Sequence, residues 1–214
     1  MAELARLYDA VLNGDQKTAI AVTQAALADG ADPLDLITKY MSPAMDEVGR
    51  RFECEDYFVP ELLLSARAMK GSLALLRPLL AAAGEQPAGR IVIGTVKGDL
   101  HDIGKNLVAS MLEGGGFEVL DLGVDVPAEK FIDAVKTRGA NAVCLSALLT
   151  VTMPTMRTII DALKEAGVRD QIKIMVGGAP VTAQFADEIG ADGYSDNASA
   201  AVTLARNLLG VAHS

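Results

Sequence analysis

The sequence predicts an α/β protein in two parts, a helical bundle over residues 1–88 and a flavodoxin-like, doubly wound parallel sheet over residues 89–214. Three observations predict it. Apolar residues recur at helical spacing, without strand-like alternation, through the first 83 residues. A short polar stretch, Gly84-Glu85-Gln86-Pro87-Ala88-Gly89, then interrupts the pattern and reads as a linker. Beyond it, short apolar runs alternate with helical segments, the pattern of parallel strands joined by crossover helices.

Leu4, Leu7, Tyr8, Val11 and Leu12 share one helical face. Gly14 ends that helix, and Asp15 caps a second that runs to Gly30. Asp32-Pro33 and Ser42-Pro43 each place a capping side chain before a proline suited to the first helical turn. A long helix starts near Pro60 and passes through Leu62, Leu63, Met69 and Leu73, with Pro78 near its end. Four or five such helices make a small bundle. In the second part, strands are expected at 91–96, 117–122, 142–148 and 172–176, with a weaker one at 193–194. Helices are expected between them, near 104–114, 127–138, 154–166, 181–189 and 197–209. Ligands of such sheets lie above the carboxyl ends of the strands.

Composition narrows the function. The net charge of -9 argues against nucleic acid, which needs a basic footprint to neutralise phosphates. Cys54 and Cys144 lie far apart and form no CxxC or Cys/His cluster, so neither a disulfide framework nor a structural zinc site is expected. No apolar run reaches the length of a membrane span, and the N-terminus lacks the pattern of a signal peptide. A soluble, cytoplasmic protein is expected.

The chemistry gathers at Gly98-Asp99-Leu100-His101-Asp102-Ile103-Gly104, in the loop between the first strand and its helix. A nucleotide reading fails on spacing. Five residues separate Gly98 from Gly104-Lys105 where a phosphate loop needs four, and Asn106 stands in place of the Ser or Thr that would hold magnesium. The pattern Asp-x-His-x-x-Gly suits a neutral imidazole that ligates a metal arriving inside a cofactor. The carboxylate two residues earlier takes the other ring N–H and fixes the tautomer.

The segment Gly94-Thr95-Val96-Lys97-Gly98-Asp99-Leu100-His101-Asp102-Ile103-Gly104-Lys105-Asn106 resembles the cobalamin-binding loop of cobalamin-dependent methionine synthase and of the small corrinoid proteins of methyltransferase systems. The likeness continues at Asp121-Leu122-Gly123-Val124-Asp125-Val126-Pro127, at 145–153, at Gly177-Gly178-Ala179-Pro180 and at Asp196-Asn197-Ala198. The helical half resembles the family's cap domain at Met45-Asp46-Glu47-Val48-Gly49, at Phe58-Val59-Pro60-Glu61 and at Ser65-Ala66-Arg67-Ala68-Met69-Lys70. Nearly the whole chain is covered, in family order.

The resemblance implies a methyl carrier whose cofactor is cobalamin or a related corrinoid, loaded as methylcobalamin. Its implied partners are a substrate-specific methyltransferase, an acceptor methyltransferase that passes the methyl to tetrahydrofolate or a thiol, and a reductive activase. His101 is implied as the lower axial ligand of cobalt, displacing the cofactor's own base, within the loop formed by Gly98, Asp99, Leu100, His101, Asp102, Ile103 and Gly104. Asp99 is implied to accept the imidazole N–H, and the Thr152 hydroxyl to extend that relay. Methionine synthases often carry Ser at the Thr152 position. The displaced nucleotide tail is implied to run beside Ser146, Leu148, Thr150, Gly177, Gly178 and Ala198, where glycine permits close backbone approach. Taken alone, Ser146 and Thr150 read as strand packing. Phe58 and Leu62 are implied to face the upper side of the corrin as an apolar, water-excluding lid, and 84–89 to act as a hinge. A cobalamin sensor that regulates transcription is the alternative, but it would carry a DNA-binding module that nothing in this acidic chain resembles. The methyl donor belongs to the partner enzyme's specificity and is not written in this chain.

Overall fold

The structure, a computed structural model, describes residues 2–84 and 88–211. The chain divides into two compact units, for the most part the helices before residue 88 and the strands and helices from there onward. The expected hinge at 84–89 includes residues 85–87, which lie outside the described residues.

The helical unit comprises α1 (Ala2–Leu12), α2 (Gln16–Ala28), α3 (Pro33–Leu36), α4 (Ser42–Glu53) and α5 (Val59–Ala82). Asp15 accepts the Thr18 N–H at 3.0 Å and Asp32 the Leu34 N–H at 3.2 Å, so both aspartates cap as expected. Ser42 does not cap. Its backbone is helical and its N–H returns to the Ile37 carbonyl, closing a π turn over Ile37–Met41 that joins α3 to α4 without a break. Pro43 supplies the physical reason. It has no N–H for the Lys39 carbonyl and its ring would crowd that group, so the helix widens just ahead of it. α5 buries Leu62, Ala66, Met69, Leu73 and Leu76, the inward stripe of a helix. Glu61 fixes its start by accepting the Phe58 N–H at 2.9 Å. The turn before it is tied to α4, because Arg51 donates to both Glu47 (2.9 Å) and the Tyr57 hydroxyl (3.1 Å). Hydrogen bonds from Arg50 and then Arg51 hold the Glu47 carboxyl at about 2.

The α/β unit alternates β1 (Arg90–Thr95), α6 (Ile103–Gly114), β2 (Glu118–Asp121), α7 (Ala128–Arg138), β3 (Ala142–Ser146), α8 (Met153–Glu165), β4 (Lys173–Gly177), α9 (Ala183–Ile189), β5 (Gly193–Tyr194) and α10 (Ala198–Leu209). All strand pairs are parallel, in the order β2-β1-β3-β4-β5. β1, β3 and β4 are nearly continuous runs of buried residues, as expected of strands covered on both faces. Val92, Val143, Leu145 and Ile174 from the strands pack with Phe131 and Ile159 from the helices. The strand order reverses between β1 and β3, which opens a crevice at their carboxyl ends. β3 stops at Ser146, two residues short of the expected run 142–148.

Candidate functional site

The loops that follow β1 and β3 meet at that switch point, and Asp99 organises them. Its side chain is fully buried. Oδ1 accepts the backbone N–H of His101 at 3.1 Å and lies 2.7 Å from His101 Nδ1. Oδ2 accepts the backbone N–H groups of Leu148 (2.8 Å) and Leu149 (3.3 Å) and lies 2.7 Å from Thr152 Oγ1. Burial alone would push this carboxyl up. The Leu148 N–H, the His101 ring, the Thr152 hydroxyl and the His101 N–H outweigh it and hold the group well below the ordinary carboxylate range. An ionised carboxylate offers no proton, so Nδ1 carries a ring hydrogen and Nε2 is the nitrogen left for another partner. The His101 side chain is about half exposed. Among the described residues no three His, Cys, Asp or Glu side chains gather as a ligand set. A metal held by Nε2 therefore needs its remaining ligands from outside those residues.

The same contacts explain the short β3. Leu148 and Leu149 give their N–H groups to Asp99 instead of to a ladder, so the chain turns away after Ser146. Thr152 is the N-cap of α8, yet its hydroxyl makes no capping bond. It lies within reach of both Asp99 Oδ2 and the Leu149 carbonyl, and its single proton serves one of them at a time.

Three further side chains hold this loop, none of them assigned a role from the sequence. Thr95 Oγ1 donates to the His101 carbonyl at 2.7 Å. Asp125 Oδ1 accepts the Gly98 N–H at 2.7 Å. Lys105 is almost fully buried, and its ammonium bonds Asp121 at 2.5 Å and Asn106 at 2.7 Å, pinning the first turn of α6 to the end of β2. Each was visible only as a member of a motif; no pattern of spacing marks its partner.

Leu100, Ile103 and Val151, on the two loops that Asp99 joins, are 72%, 85% and 80% exposed although apolar. Leu148 and Leu149 are also exposed. Asp102 and Thr150 are exposed, Ser146 is half-buried at the end of β3, and Ala198 is buried at the start of α10. Gly104 sits in the first turn of α6, and a Cβ there would meet nothing within 4 Å. Helical glycine costs stability, and no neighbour in the fold requires it here. Gly178 is different. Its φ is +131°, and a Cβ would lie 1.9 Å from the Ala147 carbonyl oxygen. A Cβ on Gly177 would stand 3.2 Å from the Ser195 carbonyl. The fold itself thus requires glycine at 178 and crowds a side chain at 177, whatever else these positions serve. In the helical unit Phe58 is exposed. Leu62 is fully buried, because it falls on the inward stripe of α5 with Ala66 and Met69, so it does not offer a ligand-facing side chain here.

Residues 89–203 match the B12 binding domain family, and residues 3–77 match a second family of the same description. Trimethylamine corrinoid protein 1 of Methanosarcina acetivorans is 43% identical over 208 residues, covering 96% of each chain. The dimethylamine corrinoid protein of Methanosarcina barkeri is 44% identical over 207 residues, covering 96% of this chain and 97% of its own. The chain belongs to the corrinoid-protein family.

Two solved structures resemble this corrinoid protein along nearly its whole length. One is a cobalamin-binding protein from Desulfitobacterium hafniense, with a TM-score of 0.79 and 33% identity, covering 97% of this chain and 99% of that one. The other is the methanol:cobalamin methyltransferase complex of Methanosarcina barkeri, with a TM-score of 0.85 and 31% identity, covering 99% of this chain and 81% of the matched one. The cofactor is cobalamin or a related corrinoid. The residues present fit it: a lone imidazole with its outer nitrogen available, an exposed apolar surround, and a helical glycine at 104 with open space above it. No helix among the described residues is long and apolar enough to cross a membrane.

Proposed function

We propose that this corrinoid protein carries a methyl group from a methylated amine, held by its own methyltransferase, to a second methyltransferase that delivers it to tetrahydrofolate or a thiol. One observation carries the reading. Asp99 holds His101 through Nδ1 at 2.7 Å, which leaves Nε2 as the nitrogen offered outward. The relatives' names, trimethylamine and dimethylamine corrinoid proteins, support an amine as donor. The likeness to a methanol:cobalamin methyltransferase complex supports a methyltransferase as partner.

When bound, the corrinoid supplies the metal centre that takes up and gives up the methyl group. The chain supplies the setting. His101 holds the metal, and Asp99 orients the ring and raises its basicity as a ligand. The Asp99 carboxylate, 2.7 Å from Nδ1, would keep the ring in the same orientation with or without a metal on Nε2. Thr152 steadies the same carboxylate from its other oxygen. Leu100, Ile103 and Val151 offer an apolar surface on the His101 side of the site, against which an apolar ring face would rest. Phe58, exposed at the start of α5, is the bundle residue suited to the opposite face.

The test has two stages. Protein labelled with 15N-histidine, loaded with hydroxocobalamin and reduced by one electron should show the two-line 15N splitting in its electron paramagnetic resonance spectrum, and His101→Ala should lose it and show at most the three-line 14N splitting of the cofactor's own base. Radiolabelled methyl should then stay with the protein through gel filtration when trimethylamine or dimethylamine is supplied with its methyltransferase. Absence of the 15N splitting in the wild type would remove the axial role of His101. Labelling by methanol and its methyltransferase alone would remove the amine.

A further inference from the structure

Between β2 and α7 the chain leaves its ladder and returns to it. The Leu122 N–H donates to the Ile93 carbonyl at 2.8 Å, the Thr95 N–H to the Gly123 carbonyl at 3.0 Å, and the Val126 N–H to the Thr95 carbonyl at 3.0 Å. Val126 also bridges to Val96 in parallel register. Val124 and Asp125 lie in the excursion between these contacts. Asp125 has a φ of 54°, one of two positive values for non-glycine residues among those described. This left-handed region is disfavoured by any Cβ, least so for Asn and Asp. Strain of this kind persists where the surroundings impose it, and it gathers at functional sites.

The excursion sets Asp125 against the histidine loop at two points. Its N–H donates to the Asp99 carbonyl at 3.0 Å, and its carboxylate accepts the Gly98 N–H at 2.7 Å. One exposed residue therefore grips the backbone on both sides of the Gly98–Asp99 peptide. Thr95 holds the far end of the turn through the His101 carbonyl. Nothing else about an exposed aspartate calls for a left-handed backbone at this place.

We infer that Asp125 is a positioning residue for the axial histidine. It fixes the backbone of Gly98 and Asp99 so that the buried carboxylate meets Nδ1 and Nε2 is aimed outward before any ligand arrives. The inference rests on the reading of His101 as the cobalt ligand. It extends the principle that a metal ligand works only as well as the shell that orients it.

Two substitutions separate side chain from backbone. Asp125→Gly keeps the left-handed conformation without strain and removes the acceptor. Asp125→Asn tolerates the same conformation and keeps an acceptor oxygen. In the cofactor-free protein, the His101 ring N–H resonance should be sharp in the wild type and in Asp125→Asn. It should broaden through faster solvent exchange in Asp125→Gly. With 15N-histidine-labelled protein and hydroxocobalamin, the Gly variant should bind about ten-fold more weakly and show a smaller fraction coordinated by 15N nitrogen on one-electron reduction, while the Asn variant stays close to wild type. A Gly variant with an unchanged ring resonance and an unchanged 15N-coordinated fraction overturns the inference. Equal impairment of the Gly and Asn variants also overturns it. Should Asp125→Gly not fold, Asp125→Ser, too short to reach Gly98, takes its place with the same two outcomes. The ring resonance judges Asp125 without the cofactor. The 15N signal of the loaded wild type judges His101 separately.

Discussion

At Asp99 donors from two loops converge on one buried carboxylate: the His101 N–H and ring, the Leu148 and Leu149 N–H groups and the Thr152 hydroxyl. Replacing either oxygen by an amide turns an acceptor into a donor facing other donors. Asp99→Asn should therefore cost about 3 kcal/mol, since each buried polar group left unpaired loses about 1–3 kcal/mol; urea unfolding at neutral pH measures it. The pH dependence follows from the depressed folded value. The carboxylate's contribution is complete above the unfolded value of about 3.9 and is lost as pH falls from there toward the lower folded value. Urea midpoints should fall below about pH 4 in the wild type, as the carboxylate protonates, and more shallowly in Asp99→Asn. At this scale Asp99 and His101 were legible from their spacing, and Thr152 from its motif. The Leu148 and Leu149 donors were not. They are backbone groups, which any residue carries, and they meet Asp99 across 49 and 50 positions.

Elements were legible wherever periodicity governs them, and misread where one contact overrides it. Every expected strand and helix of the α/β unit is present. The end of β3 moved because Asp99 claims its N–H groups, and Ser42 became helical because Pro43 widens the turn before it. Two glycines at element ends make opposite predictions. Gly178→Ala forces a Cβ against the Ala147 carbonyl at an unfavourable φ, and should lower stability by about 3 kcal/mol or more, with a matching drop in melting temperature. Gly104→Ala adds a methyl to an open helical turn. It should raise the stability of the cofactor-free protein by up to about 1 kcal/mol, yet weaken corrinoid uptake. Differential scanning calorimetry and equilibrium binding give the two readouts. A Gly104→Ala protein that binds the corrinoid unimpaired would show that the glycine serves no ligand.

For the molecule as a whole, the change of apolar period near residue 89 made the two-part organisation legible. Which bundle side chain stays exposed was not. Phe58 and Leu62 are both apolar and four residues apart, and only packing separates the exposed one from the buried one. On the proposed function the donor was hidden for a deeper reason: it would be selected in the pocket of the partner methyltransferase. The purified corrinoid protein, loaded and reduced, should accordingly take no label from a methylated amine on its own and take it readily once the amine's methyltransferase is added. One consequence reaches back to biosynthesis. The groups that aim the imidazole are encoded on both sides of a long stretch of chain, with Asp99 early and Leu148 to Thr152 late. When the histidine turn has been made, Asp99 is in place but the Leu148, Leu149 and Thr152 donors that fix its carboxylate are not. The imidazole can therefore be held in its final orientation only once the third strand and its following turn have been synthesised and paired.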